Sequence, residues 1–236
     1  MPPSAFRSPE SIHPSLWRGT QLAQPRGRCV ATGDVALSGE LPGGGWPLGV
    51  LIELLVQQPG IGELRLLHPA LDALGQRPLI LLEPPHMPNQ TAFTHWGMPL
   101  DRLHLIRAPR HADALWTAEQ ILRAGSCGAL LFWQDPIRHE ALRRLHLAAQ
   151  AADTLFVLFR PLSALHHPSP APLRLALRPA QDSLHVEFIK RRGPARDLPL
   201  AVPLGPSPLL LNRHAPVDRR SSPAPVPRSV PADLVD

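Results

Sequence analysis

An apolar run, a glycine-bearing turn and the start of a helical pattern follow one another in Leu51-Ile52-Glu53-Leu54-Leu55-Val56-Gln57-Gln58-Pro59-Gly60-Ile61-Gly62-Glu63-Leu64. A strand, a glycine turn and a helix start in this order form the setting of a phosphate-binding loop. A working loop needs a lysine on the phosphates and a Ser or Thr hydroxyl on the magnesium ion. Those places hold Glu63 and Leu64. We therefore predict a degenerate ATP site in which Gly60 and Gly62 only allow a tight turn.

The lysine content supports this prediction. Lys190 is the only lysine in the sequence, and it lies far from the loop. No shift of register can therefore supply the missing cation, and Glu63 places negative charge where phosphates would bind. His139 and His146, which share a helical face two turns apart, are expected on exposed surface. We expect no catalytic residue, no metal site and no cofactor.

Composition limits the class of protein. A chain of 236 residues with 44% hydrophobic content can bury one sizeable core, so a single α/β domain is expected. The net charge of +5 comes almost entirely from arginine, which suits nucleic acid, acidic proteins or simply a solvated surface. Cys29 and Cys127 have no partners at metal-ligand spacing, which fits a reducing cytoplasm. No apolar stretch approaches the roughly 18 to 20 residues that span a bilayer.

Apolar runs alternate with helical periodicity, a pattern that predicts a mostly parallel sheet flanked by helices. The predicted strands are apolar nearly throughout, as expected when both faces are covered. They are Leu51–Val56, Leu79–Leu82, Leu103–Ile106, Ala129–Trp133 and residues 155–159. The predicted helices lie at residues 61–74, 115–122 and 142–152. Residues 173–177 and 184–189 predict an antiparallel hairpin, with residues 198–204 as a further edge strand.

Proline marks the ends of the chain. We divide the sequence into an N-terminal arm (residues 1–40), a central domain with the degenerate ATP site (residues 41–212) and a Pro-rich tail (residues 213–236). The tail is predicted to be disordered, because proline and charge leave little apolar surface to bury.

Three segments of residues 41–212 resemble one family of ATP-binding proteins, and they occur in collinear order. The Gly43–Gly49 segment with Ile52-Glu53-Leu54 resembles the lead into the ATP loop of RecA recombinases. Leu79–Leu82 followed by Glu83 resembles the RecA strand that ends in a catalytic glutamate. Ala129–Trp133 resembles the strand of the magnesium-associated aspartate, whose place Trp133 takes. The resemblance implies a RecA-like P-loop NTPase core in which Glu83 alone remains of the hydrolytic set, and hence no enzyme.

Among lysine-poor RecA relatives the chain resembles the ImuA family, and Leu16-Trp17-Arg18-Gly19 supports this. That resemblance implies a non-catalytic adaptor of SOS-induced translesion DNA synthesis. Its partners would be ImuB, the error-prone DNA polymerase alpha subunit and RecA, with no membrane association.

Two alternatives stay open. Gly49–Val56, Gly128–Trp133 and Phe159-Arg160-Pro161 also resemble SulA, which implies a cell division inhibitor that binds the tubulin-like protein FtsZ. A RecA paralogue that binds single-stranded DNA is the other alternative, because arginines beside aromatic rings combine phosphate contact with base stacking. The candidate contacts with a partner or DNA are Trp17, Arg18, Lys190, Arg191 and Arg192. The last three are expected to project together from the sheet edge.

Overall fold

The computed structural model describes residues 27–204. Trp17, Arg18 and the predicted disordered tail, residues 213–236, lie outside the described residues.

Residues 27–204 form a mixed α/β fold around an eight-stranded sheet. A separate two-stranded antiparallel sheet pairs β1 (Cys29–Val30) with β2 (Trp46–Pro47). The strands of the large sheet, in chain order, are β3 (Leu51–Val56), β4 (Leu79–Leu82), β5 (Leu103–Ile106), β6 (Ala129–Trp133), β7 (Leu155–Pro161), β8 (Leu173–Ala180), β9 (Ser183–Lys190) and β10 (Leu200–Pro203). They lie in the order β10-β9-β8-β3-β7-β6-β4-β5. The strands from β8 to β5 are parallel, and β9 is antiparallel to β8 and β10.

The helices cover both faces of the sheet. They are α1 (Val35–Glu40), α2 (Glu63–Ala73), α3 (Gln90–His95), α4 (His111–Ala124) and α5 (His139–Ala149). Apolar side chains of α2 and α3 pack with Ile52 and Leu54 on one face, and those of α4 and α5 pack with Leu51 on the other. The long helices α2, α4 and α5 correspond to the three predicted ones. The short helices α1 and α3 were missed, because six residues are too few to show helical periodicity.

Strand positions agree closely with the apolar runs, and one expectation about burial is wrong. Strands β3 to β6 begin and end as predicted, and the hairpin β8–β9 turns at Gln181 and Asp182. Strand β5 was expected to be covered on both faces, but His104 and Leu105 are exposed. The reason is its position at the sheet edge, where β4 is its neighbour on one side.

Part of the predicted N-terminal arm packs on the domain. Leu37 of α1 is fully buried in the core. Val30 of β1 pairs with Trp46 of β2, and a side chain at Gly45 would meet the Val30 carbonyl oxygen at 2.4 Å. The boundary at residue 40 stays a prediction.

A buried ionic network joins the three central strands. Glu53, in the middle of β3, is fully buried, and its carboxylate accepts a 2.6 Å hydrogen bond from Arg174 Nε on β8. Ser169 Oγ donates to the other carboxylate oxygen at 2.7 Å. Arg160 of β7 lies 3.6 Å from the same oxygen and forms a 2.9 Å ion pair with Asp135. Because a buried charge without its partner is costly, this network favours one register of β7, β3 and β8.

The first prediction concerns Glu53→Gln, which leaves the buried guanidinium groups of Arg160 and Arg174 without their shared counter-charge. We expect the free energy of unfolding in urea to fall by about 3 kcal/mol. The control is Glu119→Gln, since Glu119 pairs with the largely exposed Arg123 and Arg144. Its expected cost is below about 1 kcal/mol. Equal losses in the two variants would contradict a structural role for Glu53.

His146 connects α5 to the start of β3. The backbone N–H of Leu51 donates a hydrogen bond to Nδ1 of His146 at 3.3 Å. The expectation that His139 and His146 share exposed surface is wrong for His146, which is half-buried because it faces the sheet. Burial lowers its pKa, and the positive charges of Lys190 and Arg192 lower it further. The folded protein therefore holds the imidazole neutral, as an acceptor must be.

The second prediction is a loss of stability in mild acid. The pKa of His146 is lowered from its ordinary value of 6.5, so below that pH the unfolded chain binds more protons than the folded chain. Stability should thus fall as the pH drops below 6.5. Urea unfolding at about pH 7.5 and about pH 5.5 should show a smaller fall for His146→Gln than for the wild type. An unchanged pH dependence would show that other groups cause it.

Candidate functional site at the carboxyl edge of the sheet

The carboxyl ends of β3, β4, β6 and β7 meet at one edge of the sheet. Val56 is level with Pro161, Trp133 with Phe159, and Leu82 with Phe132. In open parallel sheets, ligands bind in the crevice outside these ends. The predicted site residues Gly60, Gly62, Glu63, Leu64, Glu83 and Trp133 all lie on this edge or in the loops that follow it.

The loop between β3 and α2 is closed by its own carboxylate. Gly60 and Gly62 have positive φ angles of 88° and 115°, which favour glycine. Their backbone N–H groups donate to the two oxygens of Glu63, at 2.8 Å and 3.1 Å. Glu63 is buried and begins α2. Its carboxylate thus takes two donors of the kind that a phosphate-binding loop presents to its ligand.

Trp133 and Glu83 have structural partners of their own. The Trp133 ring stacks on Phe159, with centroids 4.5 Å apart and an interplanar angle of 13°. Glu83 has a positive φ of 55°, and its carboxylate accepts a hydrogen bond from the backbone N–H of Ala108. Asp135, two residues beyond Trp133, is paired with Arg160. These side chains offer little to a metal ion or a triphosphate.

The same edge carries an apolar pocket of about 400 Å³. Its walls include Pro59, Leu64, Phe93, Trp96 and Trp133, and Met87, 70% exposed, lies at its rim. A second cavity of about 180 Å³ shares Pro59, Pro85 and Trp133 with it. The buried indole N–H of Trp133 has no acceptor among residues 27–204. This surface suits apolar groups rather than a nucleotide.

The basic turn at the end of β9, Lys190-Arg191-Arg192, lies at the other end of the sheet, because Lys190 is level with Arg174 at the start of β8. The expectation that three cations project together is wrong for Arg191. Its guanidinium lies 4.7 Å from the Phe188 ring and forms a 2.6 Å ion pair with Glu40. That hydrogen bond, with the charges of Arg191 and Arg196, holds the pKa of Glu40 below its ordinary value. Lys190 and Arg192 are exposed.

Sequence reasoning missed two features of the site. The ionic network was not predicted, although isolated charges inside apolar runs, Glu53, Arg160 and Arg174, were a visible signal. The apolar pocket was also missed, because it forms where the proline-rich residues 84–88 meet α2 and α3.

Residues 27–204 contain no group of three or more His, Cys, Asp or Glu side chains that could hold a metal ion. No helix in this part of the chain has both the length and the apolar content needed to cross a membrane.

Comparison with known proteins gives one informative sequence match. The chain is 30% identical over 107 residues to the cell division inhibitor SulA of Edwardsiella piscicida. Over these residues the chain is similar to SulA. The match supports the SulA superfamily and does not extend to ImuA specifically. It spans 44% of this chain and 62% of the length of that relative.

A solved structure of SulA is also similar to part of the chain. The crystal structure of SulA from Pseudomonas aeruginosa is 28% identical, with a TM-score of 0.39 over 47% of this chain and 97% of that one. No family model matches the chain. The P-loop NTPase core stays a prediction.

The third prediction is that the wild-type protein does not bind ATP with magnesium, because Glu63 already holds the loop amides. In Glu63→Ala those amides are free, so inorganic phosphate should raise the melting temperature slightly. Glu83→Ala, which removes a carboxylate outside the loop, is the control and should show no such rise. Micromolar, magnesium-dependent ATP binding by the wild type in calorimetry would contradict the prediction.

Proposed function

We propose that the chain is a non-catalytic protein-binding module that inhibits cell division by binding the tubulin-like protein FtsZ. The observation that carries this proposal is the sequence match to a cell division inhibitor. FtsZ as the partner is what the resemblance to SulA implies. The SOS response is the setting implied by the same resemblance.

The chemistry of the carboxyl edge supports a non-catalytic role. The carboxylate of Glu63 accepts hydrogen bonds from the backbone N–H groups of Gly60 and Gly62. Trp133 takes the place of the aspartate that the resemblance to RecA implies. Of the acidic residues that the resemblance to RecA implies, Glu83 remains, and its carboxylate accepts a hydrogen bond from the backbone N–H of Ala108. A lone carboxylate without phosphate and metal anchors has nothing to act on.

We propose the apolar pocket as the contact with the division protein. Apolar and aromatic side chains that fill such pockets contribute most of the binding energy in protein interfaces. Met87 at the rim is 70% exposed, so it extends the apolar lining of the pocket to the surface. The Trp133 N–H lies at this pocket without an acceptor among residues 27–204, and a partner carbonyl that reaches it would supply one.

The fourth prediction compares two exposed apolar residues. Induced expression of the wild type in a bacterial host should produce elongated, undivided cells. Met87→Glu places a charge at the rim of the pocket and should restore normal cell length. Val35→Glu makes the same change on α1, where Val35 is 90% exposed, and should elongate cells as the wild type does. Purified FtsZ polymerisation, followed by sedimentation, should show the same ranking.

A second candidate is the adaptor role implied by the ImuA resemblance. The observation that favours it is that the SulA match covers less than half of this chain. In that role the chain would bind ImuB, the error-prone polymerase alpha subunit and RecA. Unchanged cell length on expression, together with binding of purified ImuB, would support the adaptor and overturn the division inhibitor.

A further inference from the structure

The amino edge of the sheet carries a small cavity beside two exposed cations. The cavity measures about 160 Å³, and its apolar walls include Pro47, Leu48, Val50 and Pro172. Arg192 completes the lining. Pockets for drug-sized ligands span about 300 to 1,000 Å³, so this one has room for a single aliphatic side chain.

Two cations near this cavity have no acidic partner among residues 27–204. Neither Lys190 nor Arg192 forms an ion pair with another of residues 27–204, and the Lys190 ammonium donates to the Ser169 carbonyl at 3.1 Å. Both charges lower the pKa of His146, which lies against the start of the neighbouring strand β3. Arg191, by contrast, is neutralised by Glu40.

The chemistry of this edge selects one kind of partner. We propose that it binds an acidic peptide segment of a partner protein, with carboxylates on Lys190 and Arg192 and an aliphatic side chain in the cavity. Charge complementarity favours an anionic partner. Proteins that bind single-stranded DNA combine a basic groove with aromatic rings on which bases stack, and no aromatic residue lines this cavity within the described chain. The surface lies at the opposite end of the sheet from the proposed division-protein contact and does not depend on it.

The test measures fluorescence anisotropy of a labelled peptide of glutamates around a central leucine. The matched probe has serine in place of the leucine, and labelled oligothymidylate is the nucleic-acid probe. The test variant is Lys190→Ala with Arg192→Ala. The control variant is Arg107→Ala with Arg178→Ala, which removes two exposed charges at other places. Arg191 is left unchanged because its ion pair with Glu40 joins α1 to the segment after β9.

We expect the full-length wild type to bind the leucine peptide more tightly than the serine peptide. The test variant should weaken leucine-peptide binding about fivefold to tenfold and flatten its salt dependence. The control variant should bind as the wild type does, and all three proteins should unfold at the same urea concentration.

Three results would overturn the proposal. Equal affinity for the two peptides would show that the cavity takes no side chain. Equal weakening in test and control variants would show a general charge effect. Binding of oligothymidylate but not of either peptide, lost in the test variant, would assign the cations to nucleic acid.

Discussion

The buried carboxylate of Glu53 is the constraint on which the sheet depends. It lies between Arg174 on β8 and Arg160 on β7, so three adjacent strands contribute to one ionic network. If one of these strands shifted its register by one residue, its charged side chain would point to the opposite face of the sheet, which is apolar. The network therefore fixes where β3 ends relative to its neighbours. That position in turn sets the loop of Gly60 and Gly62 and the start of α2, and so the geometry of the whole carboxyl edge.

At that edge the fold keeps the shape of an anion site and fills it with its own side chain. Glu63 accepts from the amides of Gly60 and Gly62, which leaves the space beside them to apolar residues. The stacked pair of Trp133 and Phe159 forms part of that wall. The surface at this edge is hydrophobic in character, because Glu63, Glu83 and Asp135 are paired within the protein. Such a surface suits a protein partner better than a nucleotide.

The two ends of the sheet present different chemistry. The carboxyl edge is apolar, whereas the amino edge combines a small apolar cavity with Lys190 and Arg192. Within residues 27–204, only two of the three cations of the basic turn are free to bind a partner. The third, Arg191, pairs with Glu40 and holds α1 against the segment after β9. Two chemically distinct surfaces on one domain would let the protein hold two partners without competition between them.

The sequence by itself determined the strands, the long helices and the absence of Lys, Ser and Thr from residues 57–64. Fully buried strands read as continuous apolar runs, and Glu63 and Leu64 are visible without any structure. Only the tertiary structure decided where the charges go. Nothing in the local sequence shows that Glu63 folds back onto the loop amides, that Arg191 turns inward or that His146 binds the start of β3. These contacts join residues that are distant in sequence or depend on backbone direction, and local periodicity carries no information about either.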